Sequence, residues 1–321
     1  MRRLHSGRAG AAGLALLLGS CARIAPISPV APVAVVRHGP DRGAIVYEER
    51  APEAKRTLLA RLNGDRRRHG LPPLAYDLVG AKAGDAFCQD AATRAFSGHW
   101  DLEGRPPYLR WAMAGGVDYH GENASSLSRI GSPVAPSEIE GLLLAAHARM
   151  MAETPPDDGH RRAILDPAWT HVGFGVGWVG GEFRMTEEFS RRVVDWVDLP
   201  AGPVRAGGSA PFGLKLPQGW KPAAIDVCFE SAPSPLSRAE IARRSSYAFP
   251  PSTMKLRPLL PGPYRYDDGS RGQFETSGGR ISVAIPLSRG PGHYWVLVFA
   301  GEGSIHGRPL TPAVAGLIVA E

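Results

Sequence analysis

Thr170-His171-Val172-Gly173-Phe174-Gly175-Val176-Gly177-Trp178-Val179-Gly180-Gly181-Glu182-Phe183 is the stretch on which the fold turns. Val172, Phe174, Val176 and Trp178 alternate with small residues, which is the period of a strand, and Gly180-Gly181 turns the chain into Phe183 and Met185 as a β-hairpin. Before this stretch the apolar period is helical. Ile139, Leu142, Leu143, Ala146 and Met150 make one stripe over residues 137–153, with Ser137 and Glu140 reading as a capping box and Pro155-Pro156 as the stop. Residues 55–69, carrying Leu58, Leu59 and Leu62, and residues 79–95 read as two further helices. After Pro200 helical signals nearly vanish. Ile225, Val227 and Phe229, then Ile281, Val283 and Ile285, then residues 294–299 and 314–319 read as strands between Gly and Pro clusters. The spacing therefore predicts an α+β unit over residues 54–199 and an all-β unit, a β-sandwich, over 200–321, each expected to fold on its own.

The composition fits. A chain of 321 residues with 43% hydrophobic and 21% charged residues is globular, and its 30 Pro and 39 Gly show no collagen period. Arg2, Arg3 and Arg8 precede the apolar residues 11–18 and then Leu18-Gly19-Ser20-Cys21, which reads as a bacterial lipoprotein signal over residues 1–20 with Cys21 as the lipidated N-terminus. Residues 21–53 read as an extended Pro/Ala-rich tether. The expected location is the cell envelope, with attachment through lipid, since no later stretch approaches the roughly 18 to 20 apolar residues of a spanning helix. Loss of the leader's three arginines lowers the net charge from +6 to +3, which leaves nucleic-acid binding without compositional support. Cys88 and Cys228 remain, one in each unit. A bond between them would have to cross between units, and two separately buried thiols are the favoured reading.

The chemistry-bearing residues fall within residues 97–171. They are His99 in Ser97-Gly98-His99-Trp100, Glu122 in Gly121-Glu122-Asn123, Glu153 at a helix end, Gly159-His160-Arg161, and His171 at the hairpin start. Two imidazoles with two carboxylates on loops and element ends form a donor set suited to a divalent metal, although loop histidines are also often simply solvated.

Order and spelling add to this. Leu62-Asn63 with Arg66, Gly70-Leu71-Pro72-Pro73-Leu74, Phe96-Ser97-Gly98-His99, Gly104-Arg105-Pro106-Pro107 with Arg110, Gly121-Glu122-Asn123, Gly159-His160-Arg161, Ile164-Leu165-Asp166-Pro167 and His171-Val172-Gly173-Phe174-Gly175 together resemble the CAP (SCP-like) superfamily, in its bacterial branch. The resemblance covers about 130 residues and none of the last 120. It implies a three-layer α-β-α sandwich whose cleft holds two histidines and two acids. His99, Glu122 and His171 match three of these positions, and Glu153 is the choice for the second acid, with Asp157 or Asp158 as alternatives. Asn123, His160, Arg161, Gly173 and Gly175 are assigned structural roles, and Trp100 either cleft wall or core.

The resemblance implies an exported binding module whose His/Glu cleft can hold Zn or another divalent cation, weakly bound, together with a lipid, glycan or protein ligand. The alternatives are a metal-dependent, peptidase-like hydrolase with Glu122 as general base, and a tetrad that is only a structural polar network. No Ser or Cys stands in a recognisable nucleophile motif. In the last 120 residues Tyr247, Tyr264, Tyr266, Tyr294, Trp220 and Trp295 read as core ahead of a sugar platform.

Overall fold

The structure, a computed structural model, describes residues 47–303 and 310–321, preceded by the backbone of two paired strands, β1 (Val33–Val35) and β2 (Ile45–Tyr47). The leader, Cys21 and most of the expected tether lie outside the described residues. The end of that tether belongs to the body of the protein instead. Helix α1 (Pro52–Arg68) starts two residues before the expected boundary, the Tyr47 hydroxyl donates to Asp85 Oδ2 at 2.5 Å, and the Arg50 amide donates to the same oxygen at 3.0 Å. The cause is Asp85 itself: a buried carboxylate needs donors, and this segment supplies them.

The remaining elements of the first unit are β3 (Ala75–Tyr76), α2 (Leu78–Arg94), α3 (Pro107–Ala114), β4 (Tyr119–Ser128), α4 (Ile139–Met151), α5 (Gly159–Ile164), β5 (His171–Val179) and β6 (Glu182–Arg191). They build one sheet in the order β3-β5-β6-β4, with β3 parallel to β5 and the other pairs antiparallel. Val172, Phe174, Val176 and Trp178 join Phe183, Met185 and Phe189 on one face, under Leu58 and Leu62 of α1 and Leu143, Ala146 and Met150 of α4. The glycines of β5 line the other face, where α2 lies backbone to backbone: a Cβ on Gly175 would stand 2.3 Å from the carbonyl carbon of Gly84. Helices therefore cover both faces, in three layers. Arg66, fully buried, ties α1 to the end of α5 by donating to the carbonyls of Ile164 at 2.7 Å and Asp166 at 3.0 Å.

The second unit has two four-stranded antiparallel sheets. One is β11-β12-β8-β7, from β7 (Asp195–Asp198), β8 (Ser209–Lys215), β11 (Thr276–Ser277) and β12 (Arg280–Pro286). The other is β10-β9-β13-β14, from β9 (Trp220–Glu230), β10 (Ser252–Leu256), β13 (Gly292–Glu302) and β14 (Pro312–Ala320). Phe212, Leu214, Ile281 and Ile285 of the first sheet meet Ile225, Val227, Val296 and Val298 of the second in one core. A short helix, α6 (Arg238–Ala242), interrupts the β run.

Three sequence expectations need correction. The unit boundary falls near residue 193, because β7 pairs with β8 and Val194 and Leu199 lie in the second core. Ser137 does not cap α4: a 3-10 turn at Pro136–Glu138 precedes the helix, and Glu138 Oε2 accepts from the Ala135 amide at 2.8 Å. The two units are also not independent. The outer face of β10-β9-β13-β14 presents Cys228, Trp295, Leu297 and Ala315, and Tyr108, Leu109 and Ala112 of α3 cover it. Cys88 and Cys228 are both buried thiols, in separate clusters.

Candidate functional site

Strand β4 is an edge of the first sheet, and its alternation sends Glu122 and Asn123 to opposite faces. On the α2/α3 face, Glu122 is fully enclosed and both its oxygens are engaged. Oε1 meets His99 Nδ1 at 2.8 Å, and Oε2 accepts from Arg110 Nη2 at 2.5 Å. Arg110 Nη1 also donates to the His99 carbonyl at 2.6 Å, so one guanidinium fixes both members of the pair. Burial acts to raise the Glu122 carboxyl, but the Arg110 charge and the His99 contacts outweigh it and hold the group below the usual range. Beside it in register, Glu188 bonds His120 Nε2 at 2.8 Å, and burial followed by the Glu122 charge pushes this second carboxyl up. Tyr247 of the second unit completes the cluster. Its ring meets that of His99 edge-on at 4.9 Å, and its hydroxyl donates to the Glu122 carbonyl at 3.2 Å.

On the α4 side of β4, Glu153 follows the end of α4 and His160 opens α5. Their side chains pair at 2.5 Å through His160 Nδ1, while the His160 and Arg161 amides donate to Glu153 Oε2 at 3.0 and 3.4 Å. Asn123 donates to the His160 carbonyl at 3.1 Å and to Glu187 Oε2 at 2.9 Å. Behind this lies His147, fully buried between Glu187 at 2.7 Å and Asp65 at 3.2 Å. Burial alone would depress this imidazole, yet its two carboxylate partners raise it. The result is a chain of bonds from α1 through α4, β6 and β4 to α5 that sets the backbone of His160.

His99 and His160 both line a cavity of about 210 Å³ at the β4 edge, with Ser125, Ser126, Phe87 and Met185 among its walls, and Arg244 and Ser245 contributed by the second unit. The structure thus brings together His99 with Glu122 and His160 with Glu153. His171 is elsewhere. It pairs with Ser190 of β6, whose other neighbour is His120 of β4, so it lies two strand spacings from the edge, about 10 Å, and its Nδ1 contacts Thr170 Oγ1 at 2.9 Å. Because β6 intervenes between β4 and β5, His171 stands apart from the edge cavity, and the imidazole that lines it together with His99 is His160. Of the alternative acids, Asp158 pairs with Arg162 at 3.1 Å and Asp157 is exposed.

The expected four-ligand metal set does not fit this geometry. Both carboxylates are engaged by imidazoles and other donors, and among the described residues no group of three or more His, Cys, Asp or Glu is placed to hold a metal ion. The residues fit a lesser arrangement, in which each glutamate fixes Nδ1 of its histidine and leaves Nε2 as the remaining ring nitrogen. His147, Arg110 and Tyr247 are not legible as site residues in the sequence: His147 sits inside the apolar stripe of α4, and Tyr247 is distant in the chain.

No family model and no curated protein matches this chain. A solved structure similar to it is an extracellular protein containing an SCP domain from Bacillus anthracis str. Ames, 20% identical, covering 47% of this chain and 47% of that one, with a TM-score of 0.34. The match spans about half the length of that protein. No described helix is long and apolar enough to cross a membrane.

Proposed function

We propose that the chain is an exported, envelope-anchored SCP-like binding protein whose ligand cleft is the cavity at the β4 edge. The observation that carries this is the pair of glutamate-backed imidazoles, His99 and His160, lining one cavity. Such histidines are held in orientation by their carboxylates, so their Nε2 atoms are suited to a weakly held divalent cation with positions left open to ligand. A hydrolase is the weaker reading. Glu122, its required general base, is fully enclosed and holds His99 and Arg110 on its two oxygens, which leaves it no route to a water in the cavity.

Calorimetric titration of the full chain with Zn tests the site. Binding is expected, with a loss of about 10–100-fold in Glu153→Gln, the usual cost of removing a carboxylate that orients a ligand. A His99→Ala, His160→Ala double variant should abolish it, and His171→Ala should leave it unchanged. Affinity that persists in the double variant would remove the proposal.

Anchoring is tested separately. Cys21→Ser should move the protein from the membrane to the soluble fraction or block its processing; unchanged membrane retention would refute the lipid anchor.

A further inference from the structure

We infer that the cavity takes a compact oxyanion, a phosphate group, and that the second unit supplies its cation through Arg244. This rests on reading the cavity as the ligand site. The lining carries two imidazoles, two guanidinium groups and four hydroxyls, from Ser97, Ser125, Ser126 and Ser245, and no carboxylate. Neither of the two glutamates that pair with these histidines is among the lining residues. Arg184 is already committed, donating to the carbonyls of Phe96 at 2.7 Å and Ala91 at 2.8 Å. Arg244 is exposed, and none of the ion pairs among the described residues includes it. Its guanidinium lies 4.4 Å from the centre of the Trp100 ring, and the Trp100 indole donates to the Ser246 carbonyl at 3.1 Å.

The segment that carries Arg244 is firmly seated. Ile241 is buried among Phe87, Phe96 and Ala91, and Gly98 lies in van der Waals range of Ile241 and of the Arg244 carbonyl. A cation that feels the Glu240 carboxylate only at a distance and makes no direct ion pair among the described residues, stacked on an indole beside a hydroxyl-rich cavity, is placed for charge-assisted bonds to an anion. At about 210 Å³ the cavity is smaller than the roughly 300 Å³ at which sites for drug-sized molecules begin, so it suits a head group and not a whole lipid.

The test is an NMR titration of the full chain, freed of metal with a chelator, using inorganic phosphate as probe. Saturable shifts are expected at Ser125, Ser126 and His160. Arg244→Ala should weaken binding about tenfold or more, and Arg244→Lys less, because lysine keeps the charge without the planar fork. A short-chain phosphatidic acid and a sugar phosphate then separate the sources: tighter binding of the former would place its tail on Phe87 and Met185. Absence of saturable shifts, or equal affinity in Arg244→Ala, overturns the inference. Arg244→Ala should not weaken Zn binding, because it removes a positive charge and no metal-ligating atom. Zn binding without phosphate binding would therefore sink the anion site alone, and loss of both would sink the cleft reading as well.

Discussion

Lys55→Met is expected to cost about 3–5 kcal/mol of stability, the range for removing one partner of a buried ion pair, and to lower Tm by on the order of 10 °C. Lys55 is fully buried, and its ammonium stands 2.9 Å from both oxygens of Asp85 and 3.4 Å from Glu49. Burial pushes the Asp85 carboxyl up, and Lys55 is the first group opposing that. Without the ammonium, Asp85 keeps only neutral donors: the Tyr47 hydroxyl and the amides of Arg50 and Val176. The sign with pH follows. A carboxyl raised in the folded state stabilises most below its unfolded pKa, near 4, and that contribution is lost as pH rises through the folded value. Removing Lys55 raises the folded value further, so the variant's deficit should be smaller at pH 5 than at pH 8 in urea denaturation. An equal deficit at both values would mean that lost packing, and not an uncompensated charge, is the cause.

Where the sequence is periodic its elements are legible, and where side chains serve polar networks they are not. The helices expected at 55–69 and 79–95 correspond to α1 and α2 within a few residues, and the hairpin of β5 and β6 stands where its alternation and Gly180-Gly181 place it. Strand β4 has no such signal. Its spelling, Tyr-His-Gly-Glu-Asn-Ala-Ser-Ser, is polar because His120 and Glu122 serve one buried cluster and Asn123 the other. Glu122 and His99 could be chosen from spelling, but the partner of Glu153 could not. His160 lies seven residues on, past the turn at Pro155-Pro156, and only the placement of α5 against β4 brings it to the cavity. His171 drew attention as the first residue of an obvious strand, yet strand order decides which strand reaches the cleft, and order is a long-range property that local pattern does not carry.

Truncation after residue 193 is expected to leave the first unit without a cooperative melting transition, although its sheet and helices would all be present. Tyr108 and Leu109 of α3 are buried against the outer face of the β9 and β13 sheet, with Phe249 stacked on Tyr108 at 4.3 Å. Phe87 and Phe96 are capped by Ile241, and Val117 belongs to the second core. Exposing a large apolar side chain costs about 1.5–3 kcal/mol, so four such residues approach the roughly 5–15 kcal/mol by which a whole domain is stable. Polar ties would go too: Arg191 Nη1 donates to the carbonyls of Thr311 at 2.6 Å and Pro312 at 2.8 Å. The full chain should therefore melt in one calorimetric transition, with calorimetric and van't Hoff enthalpies in agreement, while the truncated chain should bind hydrophobic dye and lose its near-UV circular dichroism. Two separated transitions in the full chain, or a truncated unit melting sharply near the full-length Tm, would show that the sheet merely rests on α3. In that case Arg244 and Ser245 could leave the cavity without unfolding it, and the site at the β4 edge would belong to the first unit alone.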